Sequence, residues 1–292
     1  MSCNSKDANV YFAKFGATNV RFENHIPELD IYIKTYFAFC LKNTSSADEK
    51  NGFVYWKDDV LPDKAKDAEI FYIPGDGLSL EDRIRRMGHL FVKQINKLSR
   101  TPEQMLIHAA AVGIDNKGVL IAAKGGGGKS TLAVSAMLSG FQYVSDDYSI
   151  IAKNGAYLTA YPIYSTININ PAMYPQMPGL QAKYLWNSWY NEEKHSVEIS
   201  AHHGSFVPEL DIKAIVYPQI AAIEKPYIEA INRDKVVVQV AYSTASQMGL
   251  LFDVEYINSL KEMISGMKYY QINLCPNLAA NVELLKHFTE KL

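Results

Sequence analysis

The stretch from Gly118 to Gly140 constrains this chain more than any other. Val119 to Ala123 is a short apolar run that reads as a buried strand. Gly125, Gly126, Gly127 and Gly128 follow, then Lys129, Ser130 and Thr131. Leu132, Ala133, Ala136, Met137 and Leu138 recur at helical spacing up to Gly140, a C-terminal cap. Strand, glycine loop, Lys-Ser and helix in that order predict a phosphate loop. The glycines let successive backbone N–H groups turn toward one anion, because no Cβ obstructs the chain. The helix beginning near Lys129 adds the partial positive charge of its N-terminus. Lys129 is expected to reach β- and γ-phosphates, and the Ser130 hydroxyl to ligate Mg²⁺. The usual pattern has a first glycine where this chain has Ala123, at the strand exit, a position that Ala can occupy. A flexible glycine linker would not sit between an apolar strand and an amphipathic helix.

Composition bounds what surrounds the loop. The chain has 292 residues, 48% hydrophobic and 21% charged, enough for one large domain or two ordinary ones with a real core. A net charge of −2 offers no basic excess for nucleic acid. Cys3, Cys40 and Cys275 are far apart and fit no metal spacing, which points to a reducing, cytoplasmic setting. The N-terminus lacks a signal pattern. No run of about 18 apolar residues marks a membrane span.

Two parts are expected, a strand-rich α/β domain over 1–100 and a catalytic domain over 101–292, with the boundary at Ser99 to Pro102. In the first, residues 9–23 read as two short strands around Gly16 and Ala17. Pro27 to Lys42 fits a strand pair or a helix, with strands favoured by its aromatic and β-branched content. Asn43 to Asn51 reads as a loop, Gly52 to Trp56 and Glu69 to Ile73 as strands, and Pro74 to Gly77 as a turn. Ser79 caps a helix whose apolar stripe is Leu80, Ile84, Met87, Phe91, Ile95 and Leu98. Arg83, Arg85, Arg86, Lys93 and Lys97 fall off that stripe, as a solvated face would.

In the second part, Met105 to Gly113 reads as one strand interrupted by His108, and Asp115 to Gly118 as a hairpin turn. Phe141 to Val144 is a strand ending at Asp146 and Asp147. Asn154-Gly155 marks another hairpin. Residues 162–190 suggest a strand and then irregular structure, and Glu192 to Phe206 a polar stretch. Ile212 to Gln219, Val236 to Tyr242 and Tyr269 to Leu274 read as strands. Thr244 to Leu251, Glu255 to Met263 and Ala279 to Leu292 read as helices. His195, His202 and His203 match no standard zinc spacing and suit a substrate-facing loop better.

Three features align. His108 lies one hairpin upstream of the loop, and Asp146 and Asp147 close the next strand, Asp146 sixteen positions after Ser130. A strand ending in a carboxylate beside a phosphate loop is where a Mg²⁺ ligand belongs. Of two adjacent carboxylates, one can hold metal and the other can accept a hydroxyl proton.

Ile107 to Ala111, Gly118 to Thr131 and Gly140 to Asp147 together resemble the core of HPr kinase/phosphorylase. They resemble still more the HPr-kinase-like proteins of bacterial peptide-modification clusters, including lasso-peptide kinases. The resemblance implies an α/β fold shared with phosphoenolpyruvate carboxykinases, with a mixed sheet and ATP with Mg²⁺ on the glycine loop. It implies that Lys129 binds phosphates, Ser130 and Asp147 bind the metal, Asp146 is the general base and His108 lies near the transferring phosphate. The acceptor would be a serine hydroxyl on a peptide or protein, and a homo-oligomer is left open. Two departures matter. The family usually has Lys-Ser-Glu where this chain has Thr131, and its Arg-Gly-Leu-Gly signature is absent. Both weigh against phosphorylase activity and against HPr as the substrate. The alternatives are a nucleotide-binding regulatory or recognition protein that transfers nothing, and a small-molecule kinase; GTP or pyrophosphate remains open as donor.

Overall fold

The computed structural model describes residues 9–43, 50–56, 69–72, 79–155, 157–181, 183–187 and 194–292. The front of the chain builds β1 (Asn9–Phe15), β2 (Thr18–Asn24), α1 (Asp30–Tyr36), β3 (Leu41–Lys42), β4 (Lys50–Trp56), β5 (Glu69–Tyr72) and α2 (Leu80–Ser99). Its sheet has the order β3-β1-β2-β4-β5. The β1–β2 hairpin turns at Gly16, whose φ of 60° lies in the left-handed region. The segment favoured as strands is helical instead. Pro27 opens a 3-10 turn that runs into α1. Leu29, Ile33, Tyr36 and Phe37 are buried while Ile31 is 66% exposed, so burial follows the helical period. α2 begins as expected, with Ser79 Oγ accepting from the Asp82 N–H at 3.1 Å. The turn at Pro74 to Gly77, the polar stretch 44–49 and Cys3 lie outside the described residues.

The remainder builds β6 (Gln104–Ile107), β7 (Ala110–Ile114), β8 (Lys117–Ile121), α3 (Lys129–Leu138), β9 (Gln142–Ser145), β10 (Ser149–Asn154) and β11 (Tyr157–Pro162). Next come β12 (Thr166–Ile169), β13 (Lys183–Asn187) and β14 (His195–Glu198), a separate three-stranded flap in the order β12-β14-β13. The chain closes with β15 (Leu210–Ile220), β16 (Tyr227–Ala230), α4 (Arg233–Met248), α5 (Val254–Ile264), β17 (Lys268–Leu274) and α6 (Leu278–Glu290).

The fold is mixed α/β, as expected, and its largest sheet is mixed. That sheet runs β6-β10-β11-β15-β8-β7-β9, with β17 beside β15 and β16 beside β17. β15 pairs parallel with β8 and β17 and antiparallel with β11. Alternation along β8 splits the core. Val119 and Ile121 pack with Leu132, Ala136 and Leu285 of α3 and α6, whereas Leu120 packs with Val240, Ala241 and Leu260 of α4 and α5. Both faces of the sheet are therefore covered. A third core joins Phe15, Phe22, Phe37 and Phe91 to Leu106, Tyr148, Ile150 and Tyr164, so residues on both sides of position 100 share it.

Several elements differ from expectation. The Val236 to Tyr242 run lies in α4, not in a strand. Val236, Val237, Val240, Ala241 and Ala245 are buried while Val238 and Tyr242 are exposed, and packing on the sheet overrides the strand preference of valine. Asn232 caps this helix by accepting from the Asp234 N–H at 2.8 Å. The polar stretch near His195 forms β14. Asp115 and Asn116 both have positive φ, 49° and 60°, a type I′ turn joining β7 to β8. Asn154 pairs with Tyr157, so the second hairpin turns one residue later than its Asn-Gly suggested. Among the described residues no helix is long and apolar enough to cross a membrane.

Asp30 ties α1 to the front hairpin. It accepts from Asn9 at 2.8 Å, Asn24 at 3.3 Å, Lys34 at 2.8 Å and the Tyr11 hydroxyl. Partial burial alone would raise its pKa, but these hydrogen bonds, Lys34's foremost, outweigh it and hold the carboxyl below its ordinary 3.8. A depressed folded pKa adds stability above the unfolded value and loses it as pH falls through the folded one. Asp30→Asn is expected to cost about 1–3 kcal/mol in urea denaturation at neutral pH. The difference from wild type should shrink as pH falls below the ordinary aspartate value.

Candidate active site

β8 extends toward the loop through a hydrogen bond from the Ala122 N–H to the Val216 carbonyl at 3.0 Å. The Gly127 N–H then donates to the Lys124 carbonyl at 3.0 Å, closing a tight turn. Gly126 and Gly128 have φ of 79° and 86°, a region that glycine alone enters without strain. A Cβ on Gly127 would lie 2.9 Å from the Ala123 Cβ. At Gly125 and Gly126 a Cβ would meet nothing within 4 Å, so there the backbone is open to an approaching group. α3 starts at Lys129, and its first N–H groups lack intrahelical partners. Those are the donors that an anion satisfies.

The loop forms one wall of a cavity of about 370 Å³. Gly125 to Gly128, Lys129, Ser130, Thr131, His108 and Asp147 all line it. The expected strand from Met105 to Gly113 is divided to make this possible. β6 pairs with β10, β7 pairs with β8 and β9, and His108 sits in the crossover between them. The His108 N–H donates to Thr244 Oγ1 of α4 at 3.1 Å, which replaces the missing ladder bond.

Three buried side chains meet at Asp147. Its Oδ1 accepts from Lys129 Nζ at 2.5 Å and is 2.9 Å from His108 Nε2. Burial and the Lys129 charge lower the His108 pKa, so its imidazole is neutral and Nε2–H donates to the carboxylate. His108 Nδ1 then faces the Ser243 hydroxyl at 3.4 Å. Burial would raise Asp147, but Lys129 and His108 outweigh it and hold the carboxyl well below its usual range.

Asp146 points elsewhere. It is fully buried and has no face on the cavity wall. Its Oδ2 accepts from the Asn168 N–H at 3.2 Å, and its backbone carbonyl accepts from Lys129 Nζ at 2.9 Å. Its other oxygen lies near the buried Tyr143 hydroxyl, without a hydrogen bond of normal length. Burial, with Asp147 beside it, raises Asp146 to about 6. The residue expected as general base thus lies behind the site in this geometry, and the one expected as metal ligand lies in front.

Mg²⁺ takes hard oxygen donors, often one or two carboxylates, with phosphate and water completing the shell. Ser130 and Asp147 both line the cavity, and this donor set fits. Among the described residues no three His, Cys, Asp or Glu side chains are grouped to hold a metal by themselves. His195 lies 3.5 Å from the Tyr174 hydroxyl, and His202 Nε2 accepts from the Gln181 N–H at 3.0 Å. Each has a structural partner of its own, and the His203 side chain lies outside the described residues.

The wall also carries residues that no sequence motif marks: Asn168, Asn170 and Lys194 from the flap, Gln247 from α4 and Asn281 from α6. Only the folded flap and helices bring them to the loop.

No family model matches the chain, and no curated protein matches it. Among solved structures the chain is similar to the Hpr(Ser) kinase/phosphatase from Coxiella burnetii, at 15% identity and a TM-score of 0.36. The overlap covers 64% of this chain and 97% of that one. So loose a likeness says nothing of function, which rests on the site itself.

Lys129→Met would leave Asp147 buried with His108 alone. A loss of about 3–5 kcal/mol is expected on removing one partner of a buried ion pair, read by denaturant melting. The His108 imidazole, freed of the neighbouring charge, should titrate at higher pH in an NMR titration.

Proposed function

We propose that the protein is an ATP- and Mg²⁺-dependent kinase that phosphorylates a serine hydroxyl on a peptide or protein. One observation carries this reading: the glycine loop, Lys129, Ser130, His108 and Asp147 all line a single cavity. A loop of that kind cradles phosphates, and a carboxylate held by a neutral histidine beside it suits an acceptor hydroxyl.

In this reading the loop N–H groups and the α3 N-terminus hold the phosphates. Lys129 leaves Asp147 for the β- and γ-phosphate oxygens. His108 stays on Asp147 through Nε2–H and keeps the carboxylate oriented. Ser130 would hold Mg²⁺ together with the phosphates, and the ion when bound supplies charge neutralisation across them. Asp147 accepts the acceptor's hydroxyl proton, in place of Asp146, because it alone of the two has a face on the cavity. Asp146 supports the site from behind by anchoring Lys129 through its carbonyl and the flap through Asn168. Rate enhancement would come from positioning and charge stabilisation.

The Lys129–Asp147 contact also suits a protein that binds nucleotide and transfers nothing, since the lysine masks the carboxylate that transfer would use. Transfer from γ-labelled ATP to cell-extract proteins or candidate peptides separates the two. Asp147→Asn is expected to retain nucleotide binding and to lower transfer by about 10²–10⁴-fold. If Asp146→Asn has that effect and Asp147→Asn does not, Asp146 is the base. Bound nucleotide with no transfer by wild type to any acceptor would leave the binding protein as the better account.

A further inference from the structure

We infer that Lys194 is a further catalytic residue, a second cation that the flap presents to the phosphoryl group in transfer. The inference rests on the kinase reading above. The phosphoryl group carries its charge on three equatorial oxygens, and cations brought from outside the loop are the strongest stabilisers of that charge. Among the described residues no arginine lines the cavity. Among the described residues, the lysines on the cavity wall are Lys124, Lys129 and Lys194. Lys124 is an exposed residue at the entrance to the loop. Lys129 belongs to the loop's own helix. Lys194 alone comes from a separate element.

The flap holds it in place. Lys194 immediately precedes His195, which pairs with Ile169 at the end of β12. That register sets Lys194 near Asn170, and both line the cavity. The flap is keyed to the carboxylate pair by one bond and braced by a second within itself. The Asn168 N–H donates to Asp146, and the Ser196 hydroxyl donates to Asn168 Oδ1 at 2.5 Å. Lys194 lines the same cavity as His108, Lys129 and Asp147, and its charge acts to lower the proton affinity of His108 and Asp146. It therefore borders the space in which the transferring phosphate would lie. In the step itself the bond from γ-phosphorus to the bridging oxygen breaks and the bond to the acceptor oxygen forms. The acceptor proton goes to Asp147, and Lys194 gives and takes none.

The test compares binding of Mg·ADP with binding of Mg·ADP plus aluminium fluoride, a mimic of the flat transferring group, by calorimetry. Lys194→Ala is expected to leave ADP affinity within about 3-fold and to weaken the mimic by about 100-fold or more, the scale of one lost charge-stabilising group. Lys194→Arg should recover most of that loss. A side chain that only braces the flap would change both affinities alike, and Lys194→Gln checks that the result is not one of folding. Equal mimic affinity in wild type and Lys194→Ala, with ADP bound by both, overturns the role of Lys194 alone. No nucleotide binding by wild type would overturn the kinase reading and this inference together.

Discussion

The buried contact of Lys129 with Asp147 and His108 is the constraint around which the rest of the molecule is arranged. A buried ammonium and a buried carboxylate are each costly alone and tolerable only as a hydrogen-bonded pair. Holding that pair takes four separate elements. α3 delivers Lys129, the end of β9 leads to Asp147, the β6–β7 crossover supplies His108, and α4 fixes the crossover through Thr244 and Ser243. α3 and β9 follow one another along the chain, whereas the β6–β7 crossover and α4 reach them only through tertiary packing.

The sheet explains why they meet where they do. β8, β15 and β17 are parallel, so their C-terminal ends lie on one side. Ile220 and Leu274, the last residues of β15 and β17, line the cavity beside the glycine loop that follows β8. Ligands of open α/β sheets bind outside the carboxyl ends of their strands, where helix N-termini point inward. Packing α3 and α6 on one face and α4 and α5 on the other gives the cavity walls from both sides.

Legibility in the sequence tracked how local each feature is. The loop, its strand and α3 could be read directly, because phosphate-loop geometry is written in consecutive residues. The turns at Gly16 and Asp115 were equally plain, since positive φ has few residue solutions. α1 and α4 were misread because valines, isoleucines and aromatics favour strands locally, whereas the core asked for a helical stripe. The break at His108 was hidden for a related reason. Its N–H is satisfied by a threonine more than one hundred positions away, and no local pattern announces such a partner. Lys194, Asn168 and Gln247 were silent for the same cause: the flap and α4 reach the site only through tertiary packing.

Asp146 and Asp147 carry this point into chemistry. Identical and adjacent in sequence, they are pushed in opposite directions by their surroundings. Burial and the neighbouring charge raise Asp146 to about 6, whereas Lys129 and His108 overcome burial at Asp147 and hold it low. A pair of carboxylates driven apart in this way can divide two tasks. Affinity for protons alone would give the base role to Asp146. In the proposed kinase reading access would give it to Asp147, where the low proton affinity created by Lys129 would rise if that lysine moved onto phosphate. In that reading the movement that binds the nucleotide would also make the cavity-lining carboxylate a better acceptor, and so would couple substrate binding to the readiness of the base without any further part.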